Sequence, residues 1–231
     1  MIKEKLQRGT LIYKLYLYYQ LFFRYKLFYK KKNYSQFDED LFLINFFKNK
    51  KNGKFVDLGA FHPIRYNNTY MLYKRGWSGT NIDLNPTAID MFNIVRKRDT
   101  NRCALVSTKI DIEKTVYYEH NFSPVNSLIL TKELKGVLRE KKIMKTKTFD
   151  DLIDHKFDFL NIDLEGHEIK VIKKFNFKLY KIKMICIEVL DHNKVSAKNN
   201  REIQKILKKN KFILIKKIGV NYLYKSVINF I

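Results

Sequence analysis

The fold of this chain is decided by the stretch Lys54-Phe55-Val56-Asp57-Leu58-Gly59-Ala60-Phe61-His62-Pro63. Its apolar side chains predict a buried strand that carries one acidic residue and ends in a glycine turn. In residues 67–73, polar cap residues followed by apolar spacing predict the start of a helix. A hydrophobic strand, a small-residue turn and a helix form the first half of a nucleotide-binding βαβ unit.

A second short strand is predicted over residues 79–85, and it carries Asp83 near its end. An acid at this place can accept both hydroxyls of an adenosine ribose. The spacing alone also fits an ordinary Rossmann-like strand pair that binds no ligand. The two strands therefore raise the hypothesis of an adenosine-containing cofactor without deciding it.

Strands and helices alternate along the rest of the chain, which predicts a mostly parallel sheet between two helical layers. The expected fold class is α/β, a Rossmann-like three-layer α/β/α arrangement with an antiparallel closing strand. Residues 122–142 break the alternation and are interpreted either as a lid or substrate-specific insertion or as a plain surface excursion. The remaining strands are predicted over residues 102–107, 115–121, 143–149, 157–164, 184–190, 211–217 and 222–225. The remaining helices are predicted over residues 39–49, 86–98, 166–175 and 199–210, and a short helix is predicted to begin over residues 149–153.

Four stretches carry a more specific signal. They are residues 35–40 (Ser-Gln-Phe-Asp-Glu-Asp), residues 55–63, residues 67–69 together with 76–86, and residues 158–168 (Asp-Phe-Leu-Asn-Ile-Asp-Leu-Glu-Gly-His-Glu). In this order they resemble the FkbM family of S-adenosylmethionine-dependent methyltransferases, which have a Rossmann-like fold. The resemblance covers about residues 35 to 190. It implies methyl transfer to a hydroxyl, mostly of a sugar or a natural product.

The resemblance implies that Asp57 helps to hold the methionine end of the cofactor through its ammonium group. Gly59 would let the cofactor approach the backbone closely. Ala60, Phe61 and His62 occupy the later places of what would be a Gly-x-Gly-x-Gly loop in a dinucleotide-binding protein. S-adenosylmethionine carries no phosphate, so this departure fits a methyltransferase better than a dehydrogenase.

Four further residues are predicted near the cofactor. Asp83 is the candidate for the ribose hydroxyls, and Asn85 either assists it or caps the following helix. Ser107, at the end of the third predicted strand, is placed to approach the adenine. Asn68, together with Thr69, can cap the first helix or present its backbone N–H group to the cofactor carboxylate, and the two roles are compatible.

The densest polar cluster of the chain is residues 163–168, which follow an apolar strand directly. Methyl transfer to a hydroxyl needs a group that takes the proton as negative charge develops. Asp163, Glu165 or His167 can serve as this base, and paired carboxylates can instead hold a divalent cation that acidifies the hydroxyl. Alternatively, the glutamate and the histidine only cap the following helix.

Two other side chains, His62 and Glu188, are second-rank candidates because both lie at predicted carboxyl ends of neighbouring strands. His62 is followed by proline, so a structural role in the turn is an equally good interpretation. The two cysteines and five scattered histidines of the chain show no zinc-binding spacing. Metal dependence therefore stays open at this stage.

The chain is strongly basic, with a formal net charge of +23, and its hydrophobic content of 45% argues against disorder. The charge indicates either a solvated surface or attraction to an anionic partner, namely membrane lipid, acidic glycan or nucleic acid. Cys103 and Cys186 both lie in apolar runs, so free buried thiols in the reducing cytoplasm are expected. A cytoplasmic protein, peripheral at the membrane, is the resulting expectation.

Residues 1–33 are predicted to form a basic, aromatic extension, followed by a methyltransferase domain over residues 34–231. Lysines and arginines within residues 11–29 argue against a signal peptide and against a spanning helix. Attachment to an anionic membrane surface and packing onto the domain or a partner are the two main interpretations of this segment. Spanning is the third.

Three functions are compatible with the sequence. The first is an S-adenosylmethionine-dependent O-methyltransferase acting on a sugar or glycan. The second is an RNA-binding protein or a nucleic-acid methyltransferase, for which the charge speaks, although no recognisable RNA-binding module is present. The third is a non-catalytic, membrane-associated protein that keeps a methyltransferase-like fold. The retained acids Asp57, Asp83 and Asp163 argue against the third.

Overall fold

The computed structural model of the protein describes residues 6–24, 32–110, 112–118, 126–127, 140–189 and 194–228. These residues form a seven-stranded sheet and a four-stranded sheet, with helices packed on the larger one. The predicted insertion over residues 122–142 lies mostly outside the described residues, so its interpretation as a lid stays a prediction.

The large sheet has the strand order β10-β11-β9-β8-β1-β2-β3. The strands from β9 to β3 are parallel neighbours, and β11 pairs antiparallel with both β9 and β10. This arrangement confirms the predicted parallel sheet with its antiparallel closing strand. The described strands are β1 (Lys54–Leu58), β2 (Ser78–Asp83), β3 (Thr100–Cys103), β4 (Leu105–Val106), β5 (Glu113–Tyr118), β6 (Asn126–Ser127), β7 (Glu140–Lys147), β8 (Phe159–Ile162), β9 (Met184–Glu188), β10 (Phe212–Ile218) and β11 (Asn221–Ser226).

From residue 39 onward the helices follow the predicted order with shifted ends, whereas the helix within residues 11–29 was not predicted. A π-helical turn, Tyr19–Phe23, continues α1, and Thr148 with Asp151 forms a capping box at the start of α5. The last helix begins earlier than predicted, because residues 194–198 contain no glycine or proline that would stop it. The described helices are α1 (Leu11–Tyr18), α2 (Glu39–Phe46), α3 (Tyr70–Lys74), α4 (Pro86–Val95), α5 (Phe149–Leu152), α6 (Glu168–Lys174) and α7 (Lys194–Lys209).

The third predicted strand is in fact two strands that belong to different sheets. The N–H group of Ala104 donates to the carbonyl oxygen of Asp83 (3.0 Å) where the pairing of β3 with β2 ends. Residues 105–106 then pair with residues 146–147 of β7, which also pairs antiparallel with β5. The prediction of one strand over residues 102–107 was wrong because apolar content does not reveal which partner a strand takes.

The central strands β1, β8 and β9 are buried on both faces, as parallel strands usually are. One face carries Val56, Leu160 and Ile185, which pack against α6 and α7. The opposite face carries Phe55 and Phe159, which pack against residues of α2 and α3. The predicted three-layer arrangement is therefore confirmed.

The two cysteines differ in exposure. Cys186 lies in the central strand β9 and is buried, as predicted. Cys103 is free and exposed, because β3 forms the edge of the large sheet. The prediction of two buried thiols was thus correct for one cysteine only.

The acidic block before β1 serves the fold. Both oxygens of Asp40 accept hydrogen bonds, from the N–H group of Tyr34 at 2.7 Å and from the Ser35 hydroxyl at 2.8 Å. Glu39 is fully buried and accepts from Asn221 Nδ2 at 2.6 Å. These bonds attach the start of α2 both to the preceding loop and to the closing strand β11.

A row of polar side chains crosses the parallel strands on the face that α2 and α3 cover. The register pairs Asn101 with Asn81, Asn81 with Asp57, and Asp57 with Asn161. Asn81 Nδ2 donates to Asn101 Oδ1 at 2.8 Å, and Asn161 Nδ2 donates to Asp57 Oδ1 at 2.8 Å. Paired positions of neighbouring strands point to the same side, so one polar residue per strand builds a continuous buried row.

Arg96, directly after α4, is fully buried and joins this row to the loop after β1. Its Nε donates to Asp99 Oδ2 at 2.8 Å, its Nη1 to the Pro63 carbonyl oxygen at 3.1 Å, and its Nη2 to Thr69 Oγ1 at 3.0 Å. The same Thr69 oxygen lies 3.1 Å from Asp57 Oδ2. A buried guanidinium is stable only with such partners, because its removal from water costs several kcal/mol.

The N-terminal segment packs onto the domain along α4. Tyr13 and Leu17 of α1 are buried against residues that include Met91. The Tyr13 hydroxyl donates to Asp90 Oδ2 at 2.7 Å, and Arg8 forms a salt bridge with the same carboxylate at 2.6 Å. Among the residues that the structure describes, no helix is both long and apolar enough to cross a membrane.

We expect Arg96→Met to lower the free energy of unfolding by about 3–5 kcal/mol, because it leaves the buried carboxylate of Asp99 without its cation. Lys97→Met, at an exposed neighbouring position, should change it by less than about 0.5 kcal/mol. Denaturant titration followed by the fluorescence of Trp77, the single tryptophan, measures both. Equal effects of the two substitutions would contradict the role given to Arg96.

Candidate active site

The carboxyl ends of four parallel strands lie side by side at one edge of the large sheet. A residue of the candidate site is either the last residue of each strand or the residue directly after it. Ile82, Leu58, Ile162 and Ile187 pair across β2, β1, β8 and β9. The next residue along each strand is Asp83, Gly59, Asp163 and Glu188, respectively. Ligands of open α/β sheets bind at this carboxyl edge, so the register alone brings these four residues together.

These residues line a cavity of about 450 Å³, within the range of about 300–1,000 Å³ that cofactor sites occupy. Every predicted site residue except one lines it, namely Asp57, Gly59, Asn68, Asp83, Asn85, Asp163, Glu165 and His167. Ser107 is not among the lining residues; Ala104, Leu105 and Val106 lie there instead. Ser107 is displaced because its N–H group donates to the Lys147 carbonyl oxygen (2.8 Å) in the second sheet.

Gly59 is required by the packing of the strand ends. Its φ is +77°, and a Cβ atom built on it would lie 1.7 Å from the carbonyl oxygen of Asp163. Any side chain here would therefore push β8 away from β1. From the sequence, Gly59 was predicted to let the cofactor come close to the backbone. The structure shows in addition that Gly59 lies close to the backbone of the residue after β8.

Asp83 is held by backbone donors on both sides. Its Oδ2 accepts from the N–H group of Phe61 at 2.8 Å, and its Oδ1 accepts from the N–H group of Asn85 at 2.7 Å. Burial raises the pKa of Asp83 to about 6, while these two bonds oppose the shift. Each carboxylate oxygen keeps a second lone pair, so both can still accept a ribose hydroxyl.

Asp57 and Asn68 line the cavity but are engaged by other side chains. Asp57 accepts from Asn161, and its other oxygen lies 3.3 Å from Asn67 Nδ2. Asn68 Nδ2 donates to Asn161 Oδ1 at 2.9 Å. Burial raises the pKa of the Asp57 carboxyl, and hydrogen bonds and the charge of Arg96 oppose that shift. The predicted contact of Asp57 with the cofactor ammonium stays a prediction.

The helix caps differ from one predicted position to the next. Asn85 caps α4, because its side chain accepts from the N–H group of Thr87 at 2.9 Å. At α3, no side-chain cap is formed by Thr69, the residue before the helix. Instead, Asn67 Oδ1 accepts from the Thr69 N–H group at 3.0 Å. Asn68 therefore does not cap the first helix, because its side chain reaches across to β8.

Asp163 and Glu188 bring two carboxyl groups together at the ends of β8 and β9, where each affects the pKa of the other. Burial, together with the charge of nearby Glu165, raises the pKa of Glu188 to about 7. Burial and the charges of Glu188 and Glu165 also raise the pKa of Asp163. Glu188 Oε2 is buried without a hydrogen-bond partner among the described residues. Two such groups share a proton rather than ionise together near neutral pH.

The loop after β8 is held by Glu168, not by the residues predicted as caps. Glu168 Oε1 accepts from the N–H groups of Leu164 (2.8 Å) and Gly166 (3.0 Å). Glu165 is exposed in a left-handed conformation with φ of +51°, and His167 makes no cap hydrogen bond. The predicted side-chain cap hydrogen bond is therefore absent among the described residues, although His167 is the residue directly before α6.

His62 is a neutral donor in this structure. Its Nδ1 accepts from the N–H groups of Ile64 (3.2 Å) and Arg65 (3.0 Å), which assigns the proton to Nε2. Burial lowers the pKa of His62 to about 3. Its Nε2 is buried without a hydrogen-bond partner among the described residues, and the side chain lines the cavity. His62 thus offers a hydrogen bond to a ligand and does not fit the role of base.

Within the described ranges, no group of three or more His, Cys, Asp or Glu side chains is arranged to hold a metal ion. The sequence analysis treated Glu188 only as a second-rank candidate. Its position beside Asp163 becomes visible only from the pairing of β8 with β9. Arg96 and Asn161 were missed entirely, because a single arginine or asparagine in a sequence carries no motif.

The fold and the site define the class of Rossmann-like methyltransferases, in which acids at the carboxyl edge of a parallel sheet surround a cofactor cavity. The family model described as the methyltransferase FkbM domain matches residues 57–214, which is more than half of the chain. The chain therefore belongs to the FkbM methyltransferase family. No curated protein matches the sequence.

Several solved structures are similar to this chain at low sequence identity. Methyltransferase FkbM from Methylobacillus flagellatus is 13% identical with a TM-score of 0.46, and the match covers 76% of this chain and 44% of that one. A TehB-like methyltransferase from Corynebacterium glutamicum is 9% identical (TM-score 0.44, covering 93% and 98%). The Burkholderia thailandensis 1,6-didemethyltoxoflavin-N1-methyltransferase, solved with S-adenosylhomocysteine, is 12% identical (TM-score 0.41, covering 81% and 76%). This chain thus spans less than half of the Methylobacillus protein.

The cofactor of the family, S-adenosylmethionine, fits the residues of the cavity. Asp83 offers acceptors for two ribose hydroxyls, and the orphaned Nε2 donor of His62 suits a carboxylate such as that of the methionine end. The turn at Gly59 leaves no side chain between the cofactor and the strand ends.

We expect Glu188→Gln to raise the melting temperature at pH 8.5 by about 2–4 °C. Folding raises the pKa of Glu188 to about 7 from an unfolded value of about 4.3. Its contribution therefore favours the fold below pH 4 and is lost as the pH rises through 7. Glutamine stays neutral, so the gain should vanish near pH 4, whereas Glu113→Gln, at an exposed position, should show no such gain. A gain that is independent of pH would contradict the raised pKa.

Proposed function

We propose that the protein is an S-adenosylmethionine-dependent O-methyltransferase that methylates a hydroxyl of a sugar or glycan. The observation that carries the proposal is the carboxyl pair of Asp163 and Glu188, which borders the cavity at the edge where the cofactor fits. Hydroxyl methylation needs a proton acceptor, and a carboxylate with a pKa near 7 is suited to this task at neutral pH.

The acidic side chains on the β8–β9 side of the cavity support a neutral acceptor that is rich in hydroxyls. Asp163, Glu165 and Glu188 lie together on the β8–β9 side. Adjacent carboxylates repel an anion such as a phosphodiester backbone, but each can accept a hydrogen bond from a hydroxyl. A sugar presents several neighbouring hydroxyls on one face, so it can satisfy several of these acceptors at once.

Aromatic side chains support the same class of acceptor. Phe61 and Tyr66 line the cavity, and Tyr66 is half exposed. An exposed ring gives the apolar face of a sugar ring a flat surface to pack on while the hydroxyls stay at the carboxylates. The rings and the carboxylates of this cavity would together orient such a polyol.

The chemistry divides between the cofactor and the chain. When bound, S-adenosylmethionine supplies a methyl group on a positively charged sulfur, which is activated for in-line transfer. Asp83 would hold the ribose, and the turn at Gly59 would set how closely the cofactor approaches the strand ends. Glu188, paired with Asp163, orients the acceptor hydroxyl and takes its proton as the oxygen becomes nucleophilic.

We expect Asp83→Ala to weaken the binding of S-adenosylhomocysteine at least about 30-fold, because two hydrogen bonds to a carboxylate are lost. Calorimetric titration measures the dissociation constant, and the exposed Asp154→Ala serves as the matched control. Because Asp83 also holds Phe61 and Asn85, thermal melting of the variant checks that it stays folded. Unchanged binding by a folded variant would remove Asp83 from the cofactor site.

Methyl transfer from labelled S-adenosylmethionine to a panel of sugars, amines and RNA tests the acceptor class. We expect O-methylated sugar as the product, with kcat reduced at least about 100-fold in Glu188→Gln. The dissociation constant for S-adenosylhomocysteine should stay within about threefold, because a lost base leaves cofactor binding intact. Labelling of RNA or amines alone would refute the proposed acceptor.

A further inference from the structure

The N-terminal segment presents a wide apolar face to solvent on the side opposite the domain. Residues 6–24 contain no acidic residue. The most exposed of the apolar side chains are Leu11 at 72% and Phe23 at 68%. A contiguous exposed apolar surface of this kind marks an interaction site. The exposed members of this face are Leu11, Ile12, Leu15, Tyr18, Tyr19, Phe22 and Phe23.

We infer that this apolar face docks onto a lipid bilayer that contains anionic lipids. Its composition of leucine, isoleucine, tyrosine and phenylalanine suits the boundary between headgroups and acyl chains. Residues 1–32 contain nine Lys and Arg residues against one Glu, which adds attraction to a negatively charged surface. Lys14, an exposed residue of α1, lies within the segment itself and can reach headgroup phosphates.

The charge of the chain favours a membrane over a second copy of the protein as the occupant. A dimer through this face would bring two chains of net charge +23 together, and like charges oppose such an approach. An anionic bilayer has the complementary sign. The side chains that would insert are therefore apolar, while the surrounding charge directs them to an acidic surface.

The segment is fixed to the domain, so docking would orient the whole enzyme. The buried hydroxyl of Tyr13 binds Asp90 on α4, and Arg8 pairs with the same carboxylate. At the other end, Gln20 and Arg24 line the cavity, and Arg24 Nη1 donates to Gln20 Oε1 at 2.8 Å. Docking therefore brings the cavity next to the lipid surface. If the proposed function holds, the acceptor is a glycan carried by a membrane lipid.

Vesicle co-sedimentation of the full chain tests the docking. We expect binding to vesicles of phosphatidylcholine with phosphatidylserine, and binding about tenfold or more weaker for Leu15→Ser/Phe23→Ser. These substitutions change no charge, so they separate docking from general attraction by the basic surface. The matched control is Ile143→Ser/Val195→Ser, which removes exposed apolar side chains elsewhere and should bind like wild type.

A fluorescent reporter identifies the surface that enters the lipid. In Phe23→Trp, tryptophan emission should shift to shorter wavelength when these vesicles are added, whereas Ile143→Trp should show no shift. Equal vesicle binding by wild type and Leu15→Ser/Phe23→Ser would overturn the inference. A dimer in sedimentation velocity that the same double variant dissociates would also overturn it. Neither assay needs cofactor or acceptor, so failure of the proposed function would leave the result readable.

Discussion

The structure depends on buried charges of opposite sign on the face of the large sheet that α2 and α3 cover. Arg96 is enclosed on the face of β1 with Asp57 and Asp99 as its nearby carboxylates. Its bonds to the Pro63 carbonyl oxygen and to Thr69 fix the loop between β1 and α3. That loop forms one wall of the cavity. The interaction that stabilises the fold is thus the one that gives the cofactor site its shape.

The part of the site that could be predicted is the part set by strand ends. A short apolar strand that ends in an acid or a glycine reads clearly in a sequence, and parallel strands bring such ends to one edge. Gly59, Asp83 and Asp163 were found in this way, and the register of Leu58 with Ile82 and Ile162 explains why.

The part that could not be predicted depends on which elements become neighbours. Glu188 becomes a strong candidate only through its place beside Asp163, since one glutamate after an apolar strand is unremarkable by itself. Ser107 lies outside the site because the residues after 104 belong to the second sheet. Likewise, the loop after β8 is held by Glu168 and not by Glu165 or His167, which were predicted as caps. These three residues lie close together in the sequence, and only the backbone geometry shows which side chain reaches the loop.

The attachment of α1 to α4 has a consequence for ligand binding. Helix α4 contacts α1 through Asp90, while its first turn, with Thr87 and Ala88, borders the cavity. One short helix therefore contacts both the cofactor cavity and the N-terminal segment. Binding free energies at two coupled sites are reciprocal. If a ligand in the cavity stabilises the position of α1, a contact that stabilises α1 in that position raises the affinity of the cavity for its ligand by the same factor.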